Sequence, residues 1–324
     1  MKLLVTGGAG YIGSIVATQL LDAGHEVVVL DNLEQGHRAA IPSVAPLVVA
    51  DLRDAEALKK AVTSEFDGVL HFAALALVAE SVSHPERYYR TNVGGTLNLL
   101  EAMDGAGVRR LVFSSTCAVY GEPDVVPISE SAIPRPVNAY GASKLSVDLM
   151  IRDFCRAHGL GAVSLRYFNV AGACDGLGED HDPETHLIPN VLRAALGSAP
   201  EVNVYGADYP TRDGTAIRDY IHIEDLAVAH LLALDATEEG GHKVFNLGTG
   251  SGFSVREVIE TAQSVTGKQI PSREAARRPG DPPVLVAASG RIKAELGWEP
   301  RKSLESMIAD AWAFAQAHPN GYGD

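Results

Sequence analysis

An α/β fold, built on a doubly wound parallel sheet with a smaller second α/β domain, is what this sequence predicts, and three observations predict it. Short runs rich in Val, Leu and Ile alternate with segments of helical spacing through the first half of the chain. The first run, KLLVTG, passes straight into the glycine-rich TGGAGYIGS. A second run, EVVVLD, ends on a carboxylate, Asp31, where a nucleotide-binding parallel sheet would place one.

The elements follow in order. KLLVTG reads as a strand and GSIVATQLLDAGH as a helix that stops at Gly24. EVVVLD and APLVVADL are strands, RDAEALKKAVTSEF a helix, and DGVLHFAA a strand. A helix runs through TNVGGTLNLLEAMDGAG, then come the strand VRRLVFSS, a loop, a helix opened by NAYGASK, and the strand GAVSLRYFNVAG. After about Asn169 the pattern is interrupted. A polar loop leads to a short helix, VNVYG and another loop. RDYIHIEDLAVAHLLALDA reads as a strand into a helix, KVFNLGTG as a strand, and SVREVIETAQSVTG and SLESMIADAWAFAQAHP as helices. The expected division is a Rossmann-type domain over 1–168, rejoined by about 219–249, and a substrate domain over 169–218 and 250–324.

Composition narrows the classes. A net charge of −14 argues against a nucleic-acid partner, whose phosphates need a basic surface. It does not argue against one nucleotide, which needs only local donors. The three cysteines, Cys117, Cys155 and Cys174, lie at no metal-ligand spacing, and a reducing cytoplasm is the expected compartment. The N-terminal apolar run is only Leu3 to Val5, and no run approaches a membrane span, so no membrane partner is expected. HEVVV has Val29 where a zinc helix of the HExxH type needs histidine. GEDHDPETH holds His181, His186 and several carboxylates without regular ligand spacing. It reads as a solvated substrate loop, and no metal is expected.

Gly7, Gly10 and Gly13 are spaced GxxGxxG. Glycines allow a tight turn and close backbone approach, and the helix start attracts a diphosphate. Asp31 can accept from a ribose diol and would repel a 2′-phosphate, which favours NAD over NADP. Asp51, ending the third strand, and His71 to Ala74, ending the fourth, would line the same crevice. Further on, Tyr140 stands four residues before Lys144, on one face if the segment is helical. A fixed ammonium one turn away favours the phenolate, and so would an oxidised nicotinamide, which would lower the phenol's pKa and fit it as a base. The strand LVFSST ends in hydroxyls, Ser114, Ser115 and Thr116, which can hold a substrate oxygen or simply cap a loop.

TGGAGYIGS, HFAA, FSST, YGASK, RYFN and GTAIRDYIH together resemble the extended short-chain dehydrogenase/reductases, and within them the UDP-galactose 4-epimerases. The likeness runs over nearly the whole chain, to RRPGD and HPNGYGD. It implies interconversion of UDP-galactose and UDP-glucose with tightly held NAD: Tyr140 takes the proton of the sugar 4-hydroxyl, Thr116 assists, Lys144 supports, and a 4-keto sugar turns over before reduction. The cofactor set it implies is Gly7, Gly10, Tyr11, Ile12, Gly13, Asp31, Asn32, Asp51, Leu52, Phe72, Ala73, Ala74, Asn92, Ser114, Tyr140, Lys144, Tyr167 and Phe168. The UDP-sugar set is Thr116, Tyr140, Asn169, His186, Leu187, Asn203, Val204, Tyr205, Arg218, Arg278, Asp281 and Leu285, with both arginines on the diphosphate and Asp281 on the uridine ribose. A homodimer paired around the YxxxK helix is implied too. Its Leu145, Leu149 and Phe154 form a stripe that by spacing alone reads as core.

The chain departs from the family at several points. Thr116 stands where serine is frequent, Leu75 and Ala76 where a lysine is frequent, and His186 where an asparagine is common. Leu285 is intermediate between the aromatic that restricts the sugar pocket and the small residue that admits N-acetylated sugars. Epimerisation, net oxidation or decarboxylation of another nucleotide sugar, a UDP-N-acetylhexosamine or UDP-glucuronate, is the alternative, and an NAD-binding scaffold is the non-enzymatic one. A 4,6-dehydratase would need a carboxylate pair after SST, where Cys117 and Ala118 stand.

Overall fold

The structure is a computed structural model in which residues 1–278 and 281–323 are described. Pro279 and Gly280 of RRPGD, and Asp324 of HPNGYGD, lie outside the described residues.

The chain opens as β1 (Lys2–Thr6), α1 (Tyr11–Asp22), β2 (Glu26–Asp31), β3 (Leu47–Val49), α2 (Ala55–Ala61) and β4 (Gly68–His71). Two short helices, α3 (Val78–Ser83) and α4 (Pro85–Tyr88), precede a wide turn at Tyr89–Gly94 that opens α5 (Gly95–Ala106). Then come β5 (Arg110–Thr116), α6 (Ala139–His158), β6 (Gly161–Tyr167), β7 (Asn169–Ala171), α7 (Leu187–Leu196) and β8 (Val202–Tyr205). The rest is β9 (Ile217–Arg218), β10 (Tyr220–His222), α8 (Ile223–Asp235), β11 (His242–Leu247), β12 (Phe253–Ser254), α9 (Val255–Thr266), β13 (Ser272–Ala275), β14 (Val284–Leu285), α10 (Gly290–Leu296), α11 (Leu304–Ala317) and β15 (Pro319–Tyr322).

Seven parallel strands form one sheet in the order β11-β6-β5-β4-β1-β2-β3. The order reverses between β1 and β4, and the crevice of such a sheet opens there, at the carboxyl ends of the strands. Both faces are covered, which is why the strands read as unbroken apolar runs rather than alternating ones. Ile15, Val16 and Leu20 of α1 and Leu226 and Ala229 of α8 bury one face. Leu58 of α2, Leu99 and Met103 of α5, and Val147 and Ile151 of α6 bury the other. Each fully buried Leu or Phe contributes about 1.5–3 kcal/mol. The helix α6 corrects the expectation for its apolar stripe: Val147, Ile151 and Cys155 face the sheet, whereas Leu149 is 43% exposed. Of the stripe itself, Leu145 and Phe154 are half-buried against core clusters, and only Leu149 is left exposed.

The later elements build a second core. Ile188 and Val191 of α7, Val202 and Val204 of β8, Val258 and Ile259 of α9, and Met307 and Ile308 of α11 pack together. No described helix is long and apolar enough to cross a membrane.

Candidate active site

Glycine geometry makes the first wall of the crevice. Gly7 sits at φ +72°, and its N–H donates to the Leu30 carbonyl at 2.8 Å. A Cβ on Gly7 would stand 2.5 Å from the Ala73 nitrogen, and one on Gly13 would stand 2.1 Å from the Gly7 oxygen, so neither position admits a side chain. Gly10 is less constrained, with only the Gly7 oxygen near its Cβ position, at 3.5 Å. Gly10 caps α1 without a side-chain acceptor, and the first turn carries no acid. The leading N–H groups at Tyr11, Ile12 and Gly13 therefore keep the positive end of the helix for an anion.

The second wall is β2 and β3. Asp31 is buried; one carboxylate oxygen accepts from the Ala9 N–H at 3.0 Å and the other from the Leu33 N–H at 2.8 Å. A carboxylate has about four acceptor sites, so each oxygen keeps capacity for a ribose hydroxyl. Asn32 donates to Asp51 at 2.9 Å, and Arg53 clamps Asp51 through its backbone N–H at 2.7 Å and its Nε at 2.8 Å. These bonds, Arg53's first, hold the Asp51 carboxyl well below the usual carboxylate range. Leu52 is buried at the same strand end, where its side chain lies against Gly95.

On the other side of β1, Phe72 and Ala73 donate to the Thr6 carbonyl at 2.9 and 3.1 Å, which brings them and Ala74 over the glycine loop. His71 itself is buried between Thr6, 2.6 Å from Nδ1, and Thr96, 2.9 Å from Nε2. Burial pushes it down to about 3, so it is a neutral strut and not a base. Asn92 clamps the following loop: its Oδ1 accepts from the Leu75 N–H at 2.8 Å, and its Nδ2 donates to the Leu75 carbonyl and to Ser143, both at 3.0 Å. Tight glycines, an uncapped helix start and an acidic strand end together fit a dinucleotide with a free ribose diol.

The catalytic candidates meet where α6 crosses the end of β5. Asn138 caps α6 by accepting from the Gly141 N–H at 2.8 Å. A Cβ on Gly141 would lie 2.4 Å from the Ala118 oxygen, so only glycine lets the helix come this close to the hydroxyl-bearing strand end. Thr116 then stands beside the Tyr140 phenol and pulls its pKa down, but burial dominates and raises it to about 12. Lys144 is buried one turn on. Its Nζ donates to the Ser114 carbonyl at 2.8 Å and lies 4.9 Å from the Phe113 ring centre. Burial lowers Lys144 to about 7, with Asp148 opposing. This corrects the expectation of a phenol already lowered by its lysine: the ammonium is desolvated and bonded to backbone, and the protein's own groups leave Tyr140 above 10. Ser114 Oγ makes a short hydrogen bond with the Tyr167 hydroxyl, and Phe168 is buried behind it.

The residues expected to face a sugar nucleotide come from distant segments. Asn169 donates its N–H to the Asp219 carbonyl at 3.1 Å and pairs with Tyr220 across β7 and β10. Arg218 forms an ion pair with Asp281 and donates to the Ile217 carbonyl at 2.7 Å. Arg278 stacks on the Tyr205 ring at 4.2 Å. Asn203 and Val204 lie on β8 beside it, and the Asn203 Oδ1 accepts from Arg273 at 3.2 Å. Leu285 pairs with Arg218 in register and packs on Phe168 and Tyr120.

The segment from Glu179 to His186 is a second correction. Its carboxylates are not solvated: the Glu184 side chain is 1% exposed and that of Glu179 10%. They converge on the two imidazoles, whose Nδ1 atoms lie 2.7 and 3.1 Å from Glu179 Oε1. The Glu179 charge first, then Glu184, holds His186 up at about 11. His181 is pulled down by burial but held at about 9 by the same two carboxylates. His186 turns its Nδ1 into this cluster, and Leu187 follows as the first residue of α7.

Two supports were missed in the sequence. Asp219 is buried and accepts from the Thr249 N–H and hydroxyl, both at 2.7 Å, from Gly250 at 2.9 Å and from Ala287 at 3.0 Å, fixing the backbone beside Arg218. Asp148, one turn beyond Lys144, accepts from Arg166 Nε at 3.0 Å and Nη2 at 2.8 Å, and from Ser115 at 3.2 Å. The available signal was an acid in an apolar setting: Asp148 continues the four-residue spacing of Tyr140 and Lys144, and Asp219 interrupts a strand.

Known proteins supply the comparison. The profile of the NAD dependent epimerase/dehydratase family matches residues 3–248. A UDP-glucose 4-epimerase of Streptomyces lividans is 57% identical over 100% of this chain and 98% of its own. A crystal structure of a UDP-glucose 4-epimerase superposes with a TM-score of 0.96 at 46% identity, covering 100% of both chains. The UDP-glucose 4-epimerase of Brucella ovis in complex with NAD superposes at 0.92 with 45% identity, covering 96% of this chain and 97% of that one. With a glycine cradle, an acidic strand end and a Tyr-Lys helix in one crevice, and with relatives matched from end to end, the chain belongs to the NAD dependent epimerase/dehydratase family.

Proposed function

We infer that the chain is a UDP-glucose 4-epimerase, an isomerase that interconverts UDP-galactose and UDP-glucose with NAD. The observation that carries this reading is the meeting of Tyr140, Thr116 and Lys144 at the carboxyl end of β5, in the same sheet as the strand that leads into the glycine cradle. Gly7, Gly10, Tyr11, Ile12 and Gly13 take the cofactor diphosphate, Asp31 with Asn32 takes the adenosine ribose, and Asp51, Leu52 and Phe72 to Ala74 line the cleft. Asn92, Ser114, Tyr167 and Phe168 shape its nicotinamide end. When bound, oxidised NAD supplies a hydride acceptor for sugar carbon 4 and a positive ring that favours a neighbouring phenolate.

The chain's own residues handle the proton. Tyr140 removes it from the sugar 4-hydroxyl while Thr116 holds that oxygen, and gives it back once the other face of the 4-keto sugar is presented. Lys144, fixed on the Ser114 carbonyl, keeps the nicotinamide end of the crevice polar and ordered. Arg218 and Arg278 offer forked donors to the UDP diphosphate, and Asp281 leaves one carboxylate face for the uridine ribose. Asn169, His186, Leu187 and the Asn203–Tyr205 strand frame the sugar and nucleotide. A loose sugar beside a gripped nucleotide is what turnover of the 4-keto form requires.

The division into a nucleotide domain, 1–168 rejoined by about 219–249, and a substrate domain, 169–218 and 250–324, belongs to the same reading, and is supported by β11 lying next to β6 and by the separate apolar core of the later helices. A homodimer is supported by the exposed Leu97 of α5 and Leu149 of α6. Three free cysteines suit a reducing cytoplasm. The test is proton NMR of UDP-galactose, and separately of UDP-N-acetylgalactosamine, with purified protein and no added cofactor. Appearance of UDP-glucose is expected, and the second rate sets the sugar range at Leu285. No conversion of UDP-galactose, with or without added NAD, would refute the assignment.

A further inference from the structure

We propose that Glu179, His181, Glu184 and His186 form a zinc site that braces the loop between β7 and α7. All four residues offer a donor atom, and these atoms lie within 4.8 Å of one another. The set is mixed, two imidazole nitrogens and two carboxylate oxygens, which suits Zn²⁺ in a tetrahedral shell. Such a shell has bonds of about 2.0–2.2 Å, so its donors stand roughly 3.3 Å apart. Glu179 Oε1 lies 3.1 Å from His181 Nδ1 and 2.7 Å from His186 Nδ1, while Glu184 reaches His186 Nδ1 through Oε1 at 2.9 Å and His181 Nδ1 through its other oxygen, Oε2, at 3.8 Å, so the Glu184 carboxylate must turn to offer one oxygen to the ion. Small shifts of side chains would admit the ion.

The two imidazole rings lie side by side, centroids 5.3 Å apart, with both Nδ1 atoms directed at one oxygen of Glu179, the convergence a shared ion would use. A single dication with two carboxylates and two neutral imidazoles is electrically balanced. The backbone is already held for it: Asn190 Nδ2 donates to the His186 carbonyl at 2.8 Å and the Glu184 carbonyl at 3.4 Å. Four protein donors leave no open position, so the site is structural. Its place in the fold gives it a purpose. Tyr11, the first residue of α1, donates its hydroxyl at 2.7 Å to the carbonyl of Gly172, the first residue of this loop, and His186 directly precedes α7 at the other end. A bound ion would tie the wall of the sugar cleft to the start of the cofactor-binding helix.

The test is isothermal titration of chelator-stripped full-length protein with zinc chloride, alongside the His181→Ala/His186→Ala double variant and Cys174→Ser. One equivalent bound with a Kd below about 1 µM is expected, together with a melting temperature raised by several degrees. The double variant should bind at least 100-fold more weakly, and Cys174→Ser should bind as the parent does. X-ray absorption of the zinc-loaded protein should show nitrogen and oxygen donors with imidazole scattering. Absence of saturable binding, equal binding by the double variant, or sulfur in the first shell would each overturn the proposal. Circular dichroism of the double variant separates loss of the site from loss of the fold.

Discussion

The nucleotide half and the sugar half of the crevice are held together in different ways. Around the cofactor, shape is set by backbone: glycines that admit no side chain, strands bonded in register, and a helix start left uncapped. On the side proposed for the sugar, the residues are held by paired side chains, some from distant segments, Arg218 with Asp281 and Arg277 with Asp208, and some within one loop, the histidines with Glu179 and Glu184. Backbone walls are rigid and preorganised, whereas ion pairs can exchange partners for a diphosphate or a ribose. The difference matches the chemistry, which needs a dinucleotide gripped and a sugar free to turn.

Mutations in the two halves should therefore fail differently. Tyr140→Phe should lower kcat by about 10²–10⁴-fold while NAD stays bound, since the phenol's hydroxyl makes no bond to the glycine cradle; loss of cofactor on purification would break the comparison. Asp148→Ala should destabilise the protein by about 3–5 kcal/mol by leaving Arg166 buried and unpaired, read as a lower urea midpoint. On the sugar side, Arg218→Ala should cost about 1.5–3 kcal/mol, appearing as a raised KM with cofactor content unchanged. A fall in kcat with constant KM would mean that this arginine acts on the chemistry instead.

A smaller effect is expected from pH. His71 and His230 are held neutral by burial, at about 3 and about 4. Both values lie below that of an unfolded histidine, so between about pH 6.5 and pH 4 each of these two contributes a loss of stability as pH falls, opposed over the same fall by His181 and His186, which are held up at about 9 and about 11. One unit below 6.5 the loss is about 1.4 kcal/mol per imidazole. Urea midpoints of His230→Phe set against the parent from pH 7.5 to 5 isolate one such site: the variant should gain on the parent as pH falls, and a constant difference would contradict it. Smallest of all, Lys59→Ala removes an exposed pair with Glu56 and should leave the urea midpoint unchanged.

The same contrast explains what could be read in advance. The sheet, the glycine loop and Asp31 were legible because each depends on residues close in sequence, and a parallel strand buried on both faces has a plain apolar signature. The short strands β9, β12, β13 and β14 were not resolved as elements, because two to four residues carry no periodicity and their pairing joins segments far apart. Asp219 and Asp148 escaped for the same reason: a buried acid is meaningful only through donors such as Ala287 and Arg166 that the fold brings to it. The Tyr140 phenol was expected to be lowered by Lys144, yet proximity along a helix says nothing about desolvation, and burial reverses the sign. The cluster from Glu179 to His186 read as solvated for want of spacing, but a compact loop can gather donors that no regular interval announces.

The central claim is that the hydrogen on sugar carbon 4 leaves and returns within one closed crevice. Epimerisation of UDP-galactose deuterated at carbon 4 tests it most directly, with the label followed in both sugar and solvent. The account predicts UDP-glucose with the deuterium still on carbon 4 and none in water. Loss of the label to solvent, or its replacement by hydrogen from added unlabelled NADH, would contradict it.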